Sequence, residues 1–511
     1  MLKNMNVEFE NKLWEACDEL RGRVSSEEYM HVIIGIMFLK HMSDKFNIAI
    51  KQIKKAFPEH FEDWIKDKDF LITEYNVSFI IPEKANWNYI EEFASKPTIG
   101  EVIDNALSEI ENVNPSLKGL FNKNYNRSEL DQIKLGKVVS IFSNIDLKEF
   151  GEDIIGRTYE YFLGHFFKKQ GQKGGEFYTP KSVVELMVNI LNPTNGTLYD
   201  PCCGTGGMFV QARKKLEQDN KDANSLVIYG QESQAKTWQL AKINLLIHGF
   251  NELEIHLGHK SADTFTEDLF KDKSGTFDYI LANPPFNIKK WNQENLLDDS
   301  RWQWGIPPKG NANYAWLSLI IDKLNKIGKA AVILANGSLS SSLKNELEIR
   351  KNFLKNNLVE CIIALPDKLF YTTGISACIW ILNKNKKSNN VLMLNCESLG
   401  VMVNKTLREL SEEDIEKVIP LSWLLSEKDL LVKIVVELFA TSYWTSFHTK
   451  WFGLWAGHDN GVWENYNVIP NWNNWKTIKN TKNIFNVAKI FQVNETYFNE
   501  IFKIIERYLN D

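Results

Sequence analysis

Apolar residues recur at helical spacing early in the chain: Phe9, Leu13, Ala16, Cys17 and Leu20, then Tyr29, Val32, Ile33, Ile36 and Met37. Between the two sets, Ser25 and Glu28 have the spacing of a capping box, which predicts a helix start. Residues 60–135 break into short apolar clusters separated by charge and Asn, a mostly helical pattern with no catalytic grouping. Asp153 to Phe166 reads as another amphipathic helix, with Ile154, Ile155, Tyr159, Phe162 and Leu163 on its buried side. From about Glu176 the pattern changes to strand–helix alternation, which favours a mostly parallel sheet covered on both faces. Strands are expected at 197–200, 226–230, 277–282, 330–334 and 359–365, with helices at 183–191, 208–216 and 311–324. Phe370, Thr373 to Ile375 and Ser376 to Leu382 suggest a closing hairpin. Lys384 to Lys387 reads as a solvated turn, with phosphate contact as the alternative, and Ser411 to Asp414 as a second capping box.

A chain of 511 residues has room for several domains. The pattern divides it into a helical region over 1–145, an α/β domain over 146–415 and an atypical, partly helical region over 416–511. A net charge of −5 gives no global basic field, so any contact with nucleic acid must be a local patch or belong to a partner. The six cysteines form no CxxC pair and read as reduced thiols of a cytoplasmic protein. No signal peptide is apparent, and no apolar run is long enough to span a bilayer, so no membrane partner is expected.

The candidate chemistry centres on Phe277-Asp278-Tyr279-Ile280-Leu281-Ala282-Asn283-Pro284-Pro285-Phe286. An apolar strand ends at two prolines, which stiffen the chain and remove backbone donors. The Asn283 side chain and the Pro284 backbone each offer a carbonyl, and Phe286 offers a flat apolar face. Two carbonyls beside a ring suit a planar group carrying an NH2, such as the exocyclic amine of adenine. Acceptors aimed at its hydrogens would localise the nitrogen lone pair for attack on a methyl sulfonium. A plain strand end broken by prolines, with Phe286 in the core, is the structural alternative.

Upstream, the strand ending at Asp200 runs into Pro201-Cys202-Cys203-Gly204-Thr205-Gly206-Gly207 and then a helix. Glycines there let a cofactor approach the backbone, and the helix start supplies free N–H groups, with a tight structural turn as the alternative. The spacing departs from G-x-G-x-x-G, which argues against a nicotinamide cofactor. Glu232, after the next strand, stands where an acid commonly accepts ribose hydroxyls, although a solvated helix-start glutamate would look the same. Asp263 stands where a third strand should end and suits either an adenine amine or an N-cap. Gly174 to Pro180 is a glycine-opened loop before a helix that could close over the amino-acid end of a cofactor.

In this order the motifs resemble the amino-methylating DNA methyltransferases, most closely the modification subunit of Type I restriction-modification systems. The resemblance covers about residues 10–415. It includes Leu13-Trp14 through Gly22, Tyr29 through Lys40, Gly156 to Leu163, Gly174 to Pro180, Asp200 to Gly207, Gln231-Glu232 and Asn283 to Phe286. It implies a Rossmann-like S-adenosylmethionine-dependent methyltransferase fold, with a mostly parallel seven-stranded sheet and an all-helical N-terminal domain. The implied reaction is transfer of methyl from S-adenosyl-L-methionine to adenine N6 in double-stranded DNA, after base flipping. Asp200, Gly204, Thr205 and Gly206 would line the cofactor site, with Glu232 on the ribose, Asp263 near the adenine, and Phe177 and Thr179 near the methionine part. Asn283, Pro284, Pro285 and Phe286 would form the catalytic segment, and no metal is expected. Implied partners are a specificity subunit, a second modification subunit and a restriction (translocase/nuclease) subunit.

Rival readings are an RNA or protein-glutamine methyltransferase, since an amide NH2 presents the same hydrogens, and an assembly subunit without catalysis. After about Pro420 the resemblance fades. Trp444, Trp451, Trp455, Trp463, Trp472 and Trp475 crowd a stretch without clear period. Stacking on nucleic acid, an irregular interface and a shifted reading frame all fit that composition. The final run Phe498, Ile501, Phe502, Ile505 and Leu509 has helical spacing.

Overall fold

Ser25 caps the first long helix as the sequence predicts: its hydroxyl accepts from the Glu28 N–H, and the Glu28 carboxylate accepts from the Ser25 N–H. The computed structural model describes Trp14, Asp18 and residues 25–144, 154–170, 179–370, 374–387, 391–405, 407–427 and 468–469. The helix expected over Phe9 to Leu20, the Gly174 to Tyr178 part of the loop (including Phe177), the tryptophan-rich stretch and the final amphipathic run lie outside the described residues.

In chain order the helices are α1 (Ser26–Ala56), α2 (Phe61–Trp64), α3 (Lys68–Tyr75), α4 (Trp87–Glu91), α5 (Ile99–Val113), α6 (Gln132–Ser143) and α7 (Ile154–Gln170). Then come α8 (Lys181–Leu191), β1 (Gly196–Asp200), α9 (Gly207–Gln218), β2 (Leu226–Gly230), α10 (Ala235–Ile247), β3 (Ile255–His256) and β4 (Phe277–Ala282). The rest are α11 (Asn313–Lys323), β5 (Leu324–Ala335), α12 (Gly337–Ser340), α13 (Lys344–Lys355), β6 (Val359–Ala364), β7 (Ala377–Asn383), β8 (Leu392–Asn395), β9 (Val401–Met402), β10 (Arg408–Glu409), α14 (Glu412–Glu427) and β11 (Val468–Ile469).

These elements fall into two compact units, one of residues 1–178 with 202–269 and the other of 179–201 with 270–511. In the first, Ile33, Ile36, Met37, Phe38 and Leu39 of α1 are fully buried, in a core completed by Leu240, Ile243, Leu246 and Ile247 of α10. Helix α7 is fastened to the same helix, since the Tyr159 hydroxyl donates to the Leu240 carbonyl at 2.9 Å. The next residue, Glu160, places its Oε1 2.7 Å from Lys214 Nζ on α9 and 3.3 Å from His248 Nε2 just beyond α10.

Burial opposes ionisation of Glu160, but the hydrogen bonds and charges of His248 and Lys214 outweigh it and hold the carboxyl down at about 2. Its folded value is therefore below its ordinary value of 4.5, so the stabilisation is complete above about pH 4.5 and is lost as pH falls towards 2. Glu160→Gln is expected to cost about 1–3 kcal/mol at pH 7. In urea melts, the gap to the parent protein should narrow below pH 4.5. A gap constant from pH 7 to pH 3 would refute the assignment.

The second unit carries strands in the order β11-β8-β6-β7-β5-β4-β1. Neighbours β1–β4, β4–β5, β6–β8 and β8–β11 run parallel, while β7 is antiparallel to both β5 and β6. Near-continuous burial of β6 and β7 fits strands covered on both faces. The mostly parallel α/β architecture is as expected. Strands β8 and β11 extend this sheet beyond β6, while β2 and β3 pair in parallel with each other in the first unit. The antiparallel pairing that the hairpin reading requires is made by β6 and β7, but β7 also inserts between β6 and β5. Ser411 and Asp414 form the predicted reciprocal cap of α14.

Candidate active site

Strand β4 positions the proline motif. Ile280, Leu281 and Ala282 are fully buried, which fixes where the chain must turn at Asn283. Asn283 is half-buried, and its Nδ2 donates to the Thr179 hydroxyl at 2.7 Å. That bond sets the amide orientation, so Oδ1 faces the other way. Oδ1 is buried and has no hydrogen-bond partner among the described residues. A buried, unpaired carbonyl is costly unless a ligand supplies the donor. Nor does the Pro284 carbonyl accept a hydrogen bond among the described residues. Phe286 is half-buried and braced edge-to-face on buried Phe370, with ring centroids 5.8 Å apart. Asp200, 2% exposed, ends β1, the parallel neighbour of β4, in a register that pairs Tyr199 with Ile280. Asp200 and Asn283 thus share the carboxyl edge of adjacent parallel strands, where open α/β sheets bind ligands.

The glycine loop is built within the first unit. Gly204 and Gly206 adopt φ of 54° and 79°, the left-handed region that a side chain would strain. Among the described residues, no atom outside the neighbouring chain lies within 4 Å of a Cβ added at Gly204 or Gly207, so the backbone there borders open space. The Cys203 N–H donates to the Gln231 carbonyl at 3.0 Å, and the Gly204 N–H donates to Glu232 Oε2 at 3.1 Å. Glu232 Oε1 also accepts from the Gln234 N–H at 2.8 Å. Burial raises the Glu232 carboxyl above its ordinary range, with these hydrogen bonds opposing the rise. The Ala262 N–H donates to the Glu232 carbonyl at 2.9 Å, which ties the Asp263 turn to the same group.

Several sequence expectations take a different form. Strand β3 ends at His256, well before Asp263, because only two residues there pair with β2. Asp263 itself is exposed, and its Oδ1 accepts from the Phe265 and Thr266 N–H groups at 2.8 and 3.2 Å, so it caps a turn. The Thr179 hydroxyl accepts from the Asn283 amide, a contact no local pattern announces. One residue escaped the sequence reading. Asn244, 2% exposed on α10, donates from Nδ2 to the Thr205 carbonyl at 2.8 Å and so holds the loop from behind. A lone Asn within the apolar run Ile243 to Ile247 was the available signal.

A family model for N-6 DNA methylases matches residues 151–435, and one for the HsdM N-terminal domain matches residues 9–142. The type I restriction enzyme MjaIX methylase subunit of Methanocaldococcus jannaschii is 37% identical over 438 residues, covering 81% of this chain and 77% of that protein. The chain belongs to the N-6 DNA methylase family. Within the family it is similar to the HindI methylase subunit of Haemophilus influenzae, 39% identical over 361 residues, 66% of this chain and 80% of that one. The type I restriction-modification methyltransferase subunit from Streptococcus thermophilus has the same fold. It superposes with a TM-score of 0.71 at 23% identity, over 83% of this methylase and 94% of its own length. Among the described residues, no helix of the methylase is long and apolar enough to cross a membrane.

Proposed function

We propose that this chain is the modification subunit of a type I restriction-modification system and methylates adenine N6 in double-stranded DNA with S-adenosyl-L-methionine. The observation that carries the reading is the Oδ1 of Asn283 at the end of β4, buried and without a partner among the described residues. The cofactor supplies an electrophilic methyl group on its sulfonium. Gly204, Thr205 and Gly206 would hold it, with Glu232 as acceptor for its ribose and Asp200, Asp263, Phe177 and Thr179 as its further contacts. Asn283 Oδ1 and the Pro284 carbonyl accept the two hydrogens of the target amine. As the nitrogen gains positive charge, these fixed acceptors stabilise it, and the amine then releases a proton to solvent. Pro285 keeps the segment stiff, and Phe286 stacks on the everted base. Eversion costs a few kcal/mol, which charge-assisted hydrogen bonds and stacking are large enough to offset.

On this reading residues 1–145 form the helical domain, 146–415 the methyltransferase domain and 416–511 the remaining region. The protein acts beside host DNA in the cytoplasm. A specificity subunit reads the sequence, a second modification subunit completes the methylase, and a restriction subunit cleaves. The deciding experiment maps modified adenines in host DNA with and without this gene. In parallel, labelled methyl transfer is offered DNA, RNA and protein in the presence of the specificity chain. N6-methyladenine at a defined motif that vanishes on deletion is expected. Acceptance by RNA or protein alone would overturn the proposal.

A further inference from the structure

The segment that follows Phe286 is fastened at both ends. Asn287 turns at φ 57°, and its N–H donates to Asn313 Oδ1 at 3.0 Å, while its own Oδ1 accepts from Asn313 Nδ2 at 2.9 Å. The Ile288 carbonyl then accepts from the Ala312 N–H at 3.0 Å. Three residues on, Trp291 is 4% exposed and its indole N–H donates to the Pro308 carbonyl at 3.2 Å. Lys289 and Lys290 lie between these anchors, and both are exposed. Among the described residues neither makes a hydrogen bond or an ion pair.

The other charges of this connection are largely paired. Lys309 lies 3.5 Å from Glu294, and Arg301 lies 2.7 Å from Asp299, leaving Asp298 as the remaining exposed acid. Two free cations on a pre-fixed backbone lose little conformational freedom when they meet an anion. Their place is informative too, because three residues of chain span at most about 10 Å, the distance allowed from Phe286 to Lys289. A nucleotide everted about its own backbone keeps its flanking phosphates close to its base. A chain of net charge −5 has no general attraction for a polyanion, so such a contact must be local.

We propose that Lys289 and Lys290 hold the backbone phosphates flanking the everted adenine, a proposal that rests on the reading of Asn283 to Phe286 as the target-base site. Phosphate contacts position the strand without reading its sequence, which fits a subunit whose recognition is supplied by a partner.

The test uses the methylase with its specificity chain on duplex DNA. Affinity is measured across salt concentrations for the parent and for the double variant Lys289→Gln/Lys290→Gln. Each lost phosphate contact flattens the plot of log K against log salt by about 0.9, so a change of about 1.8 is expected for two. The loss should be uniform over cognate and non-cognate DNA, with cofactor affinity unchanged. Lys289→Arg/Lys290→Arg should restore the parent slope. Lys326→Gln, at the opposite end of β5, should leave it unaltered. A Gln variant with the parent slope would overturn the proposal, as would an Arg variant that fails like the Gln one. Failure of the underlying reading looks different: the parent complex itself would transfer no methyl to DNA.

Discussion

Asn283→Ala is expected to lower kcat for DNA methylation by about 10²–10³-fold, with cofactor affinity changed less than about twofold. Oδ1 is buried, unpaired and set in direction by the Thr179 hydroxyl, so it needs no reorganisation when charge develops on the amine. Alanine removes that acceptor and leaves the Thr179 hydroxyl without its donor. The nitrogen must then become positive with only the Pro284 carbonyl beside it. Asn283→Asp keeps an acceptor oxygen and should lose less than the alanine variant. Single-turnover transfer of labelled methyl, with calorimetry for the cofactor, separates the two effects. A loss in kcat under threefold for Asn283→Ala would remove this residue from the chemistry.

The second large effect is expected in binding. Glu232→Ala should weaken S-adenosyl-L-methionine about 100-fold, while the rate at saturating cofactor stays near that of the parent. Glu232 accepts the N–H groups of Gly204 and Gln234, so its carboxylate shapes the glycine loop besides the ribose contact proposed for it. Two hydrogen bonds to a charged group at about 1.5 kcal/mol each account for that factor. Glu232→Gln turns an NH2 towards one of these donors and should also bind weakly. Calorimetry decides it: a dissociation constant within threefold of the parent would mean that Glu232 only caps its turn.

The sequence was readable where one element carried the whole signal. Ser25 with Glu28, the apolar run into Asn283, and the strand-to-glycine passage from Tyr199 to Gly206 are local patterns, and each formed where it was read. What stayed hidden depends on contacts across long separations. Thr179 meets Asn283 from 104 positions away, and Glu160 joins Lys214 on α9 and His248 just beyond α10. No periodicity encodes such meetings. The Asp263 strand was misplaced for another reason: β3 is two residues long, too short for propensity to define its end. Strands β8 and β11 were missed because each is brief and takes its place from pairing, Leu392 on Cys361 and Val468 on Met393.

The first core is closed by α10, a helix that follows α1 by nearly 180 positions. While the nascent polypeptide leaves the ribosome, the part of α1 that meets α10 therefore stays open until Leu240 to Ile247 emerge, although Phe79, Phe121 and Tyr125 cover other parts of α1 sooner. At translation speeds of about 5–20 residues per second, that delay is on the order of ten seconds or more. Chains truncated before Ala235 are expected to leave that strip of α1 exposed and to aggregate more readily than the full chain.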